Sequence, residues 1–295
     1  RLPYDPFRSG LYHWQELMDV PGDASLDWRI YQHFSASRYK PSINEALWQR
    51  LHDHAIDDAL RQLLEYDEHG MTERRSVAIM GGHGVPRTHP DYHRTVRTAK
   101  LLGEAGYFVV SGGGPGIMEA ANLGAYLAGQ SSAVMEQALH LLAPAPTYQD
   151  ESYHEAALRV LEYVPDGQAS LAIPTWFYGH EPSNVFAAHI AKYFSNSIRE
   201  DTLLAVALYG IIFAPGSAGT TQEIFMDAAQ NHYGTFNYYS PMVFLGRQRY
   251  EIDTLLYPLM RQLSHGRVYH DLMCLTDEPD EVVAWLKAHP PVEKG

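Results

Sequence analysis

The chain has 295 residues, 45% of them hydrophobic, with 22 Lys and Arg against 35 Asp and Glu, a net charge of −13. That length admits one large α/β domain or two small ones, and that apolar content excludes a disordered chain. The acidic balance weighs against a protein that coats nucleic acid, since neutralising phosphates needs clustered Lys and Arg.

Residues 1–45 are rich in aromatics, Pro, Gly and Ser without a sustained period, which predicts a segment wrapped along the surface of a core domain. From Asn44 to Glu68 the period is helical, with Leu47, Leu51, Ala55, Ala59, Leu60, Leu63 and Leu64 at three- and four-residue spacing. This helix reads as a packing element or dimer surface, closed by Gly70. Beyond Ser76, short apolar runs alternate with helical stretches. Strands are expected at Ser76–Met80, Tyr107–Ser111, Ser170–Ile173, Tyr209–Ala214, Met242–Leu245 and Leu272–Thr276. Helices are expected at Tyr92–Ala105, Ile117–Ala128, Asn184–Phe194, Thr221–Asn231, Tyr250–Leu263 and Glu278–Ala288, with residues 131–163 mostly helical around Pro144 and Pro146.

Strands such as Phe108-Val109-Val110 are continuous apolar runs, the signature of strands buried on both faces. Alternation with helices then predicts an α/β fold: a Rossmann-like, doubly wound parallel sheet, an α/β/α sandwich. Residues 1–72 form a mostly helical N-terminal extension in this reading. Residues 73–295 form the nucleotide-binding domain, with a helical insertion near 131–163.

Three glycine-rich segments follow predicted strands: Gly81-Gly82-His83-Gly84, Gly112-Gly113-Gly114-Pro115-Gly116 and Pro215-Gly216-Ser217-Ala218-Gly219-Thr220-Thr221. In open α/β sheets ligands sit at the carboxyl ends of the strands. A helix that starts after such a loop offers unpaired N–H groups and the positive end of its dipole, an anion site that needs no Lys or Arg. Neither later loop is a Walker A loop, and neither has the dinucleotide fingerprint with its distant acid. Glu223 is expected in the first turn of its helix, where capping would also explain it.

Ser-Gly-Gly-Gly-Pro-Gly-Ile-Met-Glu-Ala-Ala-Asn at 111–122, followed by Pro-Gly-Ser-Ala-Gly-Thr-Thr-Gln-Glu at 215–223, resembles the paired motifs of the LOG (Lonely guy) family. Its members were formerly described as possible lysine decarboxylases. The resemblance spans roughly residues 76–285 and departs at Ser217, where the family has Gly. It implies a nucleoside 5′-monophosphate phosphoribohydrolase that releases free base and ribose 5-phosphate, without metal or organic cofactor, as a homodimer or higher assembly. The implied catalytic pair is Arg199 and Glu223. The implied binding set is Gly82, Gly112, Gly113, Gly114, Met118, Glu119, Asn122, Gly216, Ser217, Ala218, Gly219, Thr220 and Thr221.

The chemistry suits these residue types. Glycosidic cleavage builds an oxocarbenium-like charge that a carboxylate can stabilise, while Arg grips an anion. If Ser217 needs a positive φ, its loop is strained; in the first loop His83 or Arg87 is the candidate phosphate ligand, a solvated loop residue being the alternative for Arg87. The segment Pro174–Asn184 places aromatics at the ligand edge, for base stacking or for packing. Asn231-His232-Tyr233-Gly234 reads as a helix end with Gly234 left-handed. The 16 histidines show no metal-ligand spacing; His52 and His54 face different sides of a helix. None of the few lysines suits a pyridoxal Schiff base. Cys274 alone builds no disulfide framework, which suits a reducing compartment. No apolar run approaches the roughly 20 residues that span a bilayer, and the opening residues carry no secretory apolar stretch. A cytoplasmic location, with no nucleic-acid or membrane partner, is expected. The competing reading is a nucleotide sensor or carrier that does not hydrolyse.

Overall fold

The computed structural model describes residues 2–20, 24–68, 70–181 and 183–295; Arg1 and, within the aromatic segment, Pro182 lie outside the described residues. Seven parallel strands make one sheet. They are β1 (Ser76–Met80), β2 (Phe108–Ser111), β3 (Leu171–Ala172), β4 (His189–Ile190), β5 (Ile211–Phe213), β7 (Met242–Leu245) and β8 (Met273–Thr276), in the order β4-β3-β2-β1-β5-β7-β8. The short β6 (Tyr238–Tyr239) and β9 (Val292–Glu293) pair separately and antiparallel. The chain builds outward from β1 through β4, then returns to β5 on the other side of β1. The strand order therefore reverses between β1 and β5, and the loops that leave those two strands part there to open a crevice.

Helices cover both faces, as the Rossmann-like reading requires. On one face Val77 and Ile79 of β1 pack with α4 (Pro90–Glu104), α5 (Ile117–Tyr126) and α11 (Pro279–Ala288). On the other, Ala78 and Met80 pack with the N-terminal helices α2 (Leu26–Ser37) and α3 (Ile43–Leu64) and with the segment around α10 (Leu256–Leu263). Residues 1–45 are thus not a surface wrap. Tyr4, Tyr12, Leu17, Ile30 and Phe34 are buried in this core, and α1 (Trp14–Leu17) and α2 lie within the segment. A third cluster joins α4 and α5 to residues 131–163, which form α6 (Ser132–Leu142) and α7 (Tyr153–Tyr163).

The helix expected at Asn184–Phe194 is absent; the segment is an extended, largely buried run that holds β4. Continuous apolar burial hides the period that would tell strand from helix. Asn184 Oδ1 accepts the Phe186 N–H, and Ile190 exchanges both backbone hydrogen bonds with Tyr12. Helix α3 ends at Glu65 in the left-handed conformation (φ 54°), before Gly70. The helix expected at 250–263 divides into a π-helical stretch, Gln248–Asp253, and α10, with Leu255 left-handed between them. Among the described residues no helix is long and apolar enough to cross a membrane.

Arg87 does not reach the site. It is 1% exposed, with Nε and Nη2 donating to Glu119 at 2.8 and 2.6 Å and Nη1 donating to the carbonyls of Ala145 and Tyr153. This pair ties the segment between α6 and α7 to α5, and Glu119 also accepts from Tyr92 Oη. Removing one member leaves an uncompensated buried charge. Arg87→Met is expected to cost about 3–5 kcal/mol in urea unfolding, and Arg87→Met with Glu119→Leu distinctly less than twice that.

Candidate functional site

A cavity of about 530 Å³ lies in the crevice at the carboxyl ends of β1, β2 and β5. Gly81, Gly82 and His83 line it from the first loop, and Gly112, Gly114 and Met118 from the second. From the third loop and its helix, α9 (Ala218–Tyr233), come Ser217, Ala218, Gly219, Thr220, Gln222 and Glu223. Arg199 and Glu200 enter from α8 (Asn196–Ala205).

Backbone proximity shapes the floor. A Cβ on Gly216 would overlap Thr220 Oγ1, and one on Gly116, at φ 66°, would overlap Gly82 O. Ser217 adopts φ −111°, so the expected strain does not arise. Its hydroxyl caps nothing, and the first bond inside α9 runs from Thr221 N to Ser217 O. The N–H groups of Ala218, Gly219 and Thr220 therefore lack helical partners and carry the positive end of the α9 dipole to the cavity.

Glu223 lies in the second turn of α9, which removes the capping explanation. Gly219, Gln222 and Glu223 share one face by helical spacing. Glu223 makes no hydrogen bond or ion pair among the described residues. Burial pushes its carboxyl up to about 7; the nearby Arg199 guanidinium opposes that shift and the Glu200 carboxylate adds to it. Arg199 is buried. Its Nε donates to Ile173 O at 2.7 Å and its Nη2 to Gly112 O at 3.3 Å, which fixes the guanidinium between β3 and the second loop. Nη1 forms no hydrogen bond among the described residues.

Several expected ligands are elsewhere. Glu119 is enclosed with Arg87 and Tyr92 behind α5, because a buried carboxylate needs such partners. Asn122 is fully buried below the second loop, where it joins Ser111, Ser170, Leu171 O and Asn184. Gly113 accepts from the Asn184 N–H, and the Thr221 hydroxyl bonds back to Ser217 O. Gly113, Gly216 and Thr221 do not line the cavity.

The aromatic segment divides by residue. Trp176 is fully buried; Tyr178 is 65% exposed and lines the cavity with Thr175 and Glu181. Sequence reasoning missed Glu200 and Gln222. Glu200 accepts from Asn196 at 2.6 Å, Gln222 at 2.9 Å and Tyr178 Oη at 3.3 Å. Its position beside Arg199 and the spacing of Gln222 from Gly219 were the available signals.

The N-terminal helices hold both walls of the site. Buried Asp27 on α2 accepts from Trp176 Nε1 and Lys192 Nζ, each at 2.8 Å, with His180 Nε2 at 3.2 Å. Lys192 and His180 keep the Asp27 carboxyl below its usual range against the cost of burial. Asp53 on α3 accepts the Phe194 and Ser195 N–H groups just before α8. Among the described residues no group of three or more His, Cys, Asp or Glu is placed to hold a metal ion. His52 is buried and His54 exposed, on different sides of α3 as expected.

The model of the SLOG cluster4 family matches residues 74–134. That span holds β1, β2 and the first two loops, and stops before Arg199 and Glu223. Among solved structures, a molybdenum cofactor binding protein from Rippkaea orientalis is 15% identical, with a TM-score of 0.47 over 73% of this chain and 97% of its own. A Moco carrier protein from Chlamydomonas reinhardtii is 14% identical (TM-score 0.45; 73% and 97%). DNA processing protein A from Streptococcus pneumoniae is 12% identical (TM-score 0.39; 85% of each chain). No curated protein matches the chain in sequence.

A carboxyl held near 7 when folded, against about 4.5 otherwise, favours the fold most below pH 4.5, and that contribution is lost as pH rises through 7. Glu223→Gln should leave the melting temperature nearly unchanged at pH 4.5 and raise it by a few degrees at pH 8, read by calorimetry.

Proposed function

We propose that this cavity binds a nucleoside 5′-monophosphate and hydrolyses its N-glycosidic bond. The observation that carries the reading is Glu223: a carboxyl without a hydrogen bond among the described residues, poised near neutral pH, beside a fixed Arg199 and an uncapped helix N-terminus. The likeness of residues 74–134 to the SLOG family agrees with the motif resemblance to the LOG family.

In this reading the 5′-phosphate sits on the free N–H groups of Ala218, Gly219 and Thr220, with the Thr220 hydroxyl and the loop glycines close by. Arg199 supplies fixed positive charge through its free Nη1. The sugar then lies against Glu223. As the C1′–N bond breaks, the electron pair leaves with the base and positive charge grows on C1′ and the ring oxygen. The Glu223 carboxylate stabilises that charge and takes a proton from the water whose oxygen bonds to C1′. The departing base takes a proton from solvent and Glu223 returns the one it took from water, so that one water is consumed. Products are free base and ribose 5-phosphate. Positioning and electrostatics supply the rate, and no cofactor enters.

Ligand binding without hydrolysis is the second reading. It is favoured by Arg199, which already gives two of its nitrogens to backbone carbonyls.

Incubation with a panel of nucleoside 5′-monophosphates, read by chromatography, is expected to release base from at least one. The rate should rise with pH to a plateau above about 7, as the carboxylate forms. Glu223→Gln should lower it about 10²-fold or more, by loss of the charge and the base. A monophosphate that raises the melting temperature while no base appears from any member would establish the carrier reading instead.

A further inference from the structure

A second cavity, of about 500 Å³, lies on the far side of Glu200, between the N-terminal helices and the start of α8. Its floor is apolar and rigid. Phe34 and Phe194 are buried with ring centroids 5.6 Å apart, and Phe177 adds a third ring. Two guanidinium groups stand at its edge. Arg38, at the end of α2, lies 4.3 Å over the Phe177 ring, and Arg50 projects from α3. Neither forms an ion pair or a hydrogen bond among the described residues.

The carboxylates nearby are already engaged. Both oxygens of Asp53 accept backbone N–H groups, and both oxygens of Glu200 accept from side chains. They hold the wall together and leave the two arginines without partners. Asn196 lines the same space, and its Oδ1 is enclosed with no hydrogen bond.

We infer that this second cavity is a binding site for a planar aromatic anion. The ring lies on the phenylalanine floor, and the carboxylate or phosphate meets Arg38 and Arg50. An aromatic face beside a guanidinium already stacked on an aromatic ring suits a flat ligand, and a guanidinium fork suits an oxyanion. The helix that carries Arg199 and Glu200 into the first cavity begins here at Asn196, so a ligand in this site touches the element that shapes the other.

The test is calorimetric titration of the full chain with 1-naphthoate, with the uncharged 1-naphthalenemethanol as the control. One site is expected for the acid and none for the alcohol. Arg38→Ala and Arg50→Ala should each weaken binding about tenfold or more, as loss of a charge-assisted contact requires. Ala46→Trp, which fills the cavity, should abolish it. Thr220→Val, in the first cavity, should leave it unchanged. No binding of the acid, equal binding of the alcohol, or loss on Thr220→Val with Arg38→Ala and Arg50→Ala indifferent would overturn the assignment. None of these readouts depends on base release, so the site stands or falls apart from the hydrolase reading.

Discussion

The backbone of Gly82 is hydrogen-bonded through both its N–H and its carbonyl. Its N–H donates to Pro215 O at 3.0 Å, and its carbonyl accepts from Ile117 N at 3.1 Å. Three loops that leave β1, β2 and β5 thereby meet at one backbone group. Ala214 N, just after β5, also donates to Met80 O at the end of β1, and beyond that pair the reversal of the sheet order lets the loops part. The contact is possible only because Gly116 and Gly216 present no Cβ toward it. It fixes the mouth of the cavity and the origin of α9, and so the height at which Glu223 stands.

Around that joint the chain uses buried carboxylates as rivets. Asp27 fastens the loop after β3, Asp53 fastens the start of α8, and Glu119 fastens the segment between α6 and α7 through Arg87. Each has partners to offset its desolvation. Glu223 is the contrast: half-buried at the cavity wall, without a hydrogen bond among the described residues, and pushed up toward neutrality. A carboxyl left in that state, in a cavity with a fixed arginine, is a functional candidate on physical grounds. Asp227, one turn further along α9, is pushed up as well, but it is buried, accepts from Asn231 and does not line this cavity.

The sheet was legible because its strands are short apolar runs punctuated by glycine. β1 and β7 match their expected bounds, and Gly234 is left-handed at the end of α9 as expected. The segment 184–194 was not legible. Its residues are buried almost without interruption, so no period survives, and its pairing with Tyr12 is set by distant sequence. α2 was hidden for a similar reason, its burial being divided between Ile30, Phe34 and the polar Asp27. At the site, the motifs located the three loops and the Arg199 and Glu223 pair. They did not separate lining residues from supporting ones. Glu119 and Asn122 belong to the motif yet face inward, a distinction that depends on Arg87 and Asn184, far off in sequence. Nor did the motifs show Glu200, which enters through hydrogen bonds across three elements.

In the proposed reaction water attacks C1′ of a nucleoside monophosphate bound in this cavity. Mass spectrometry of the products formed in ¹⁸O-water tests it most directly. Free base and an equal amount of ribose 5-phosphate are expected, with no ¹⁸O in the phosphate group. Recovery of unlabelled, intact nucleotide, or of nucleoside with labelled inorganic phosphate, would contradict it.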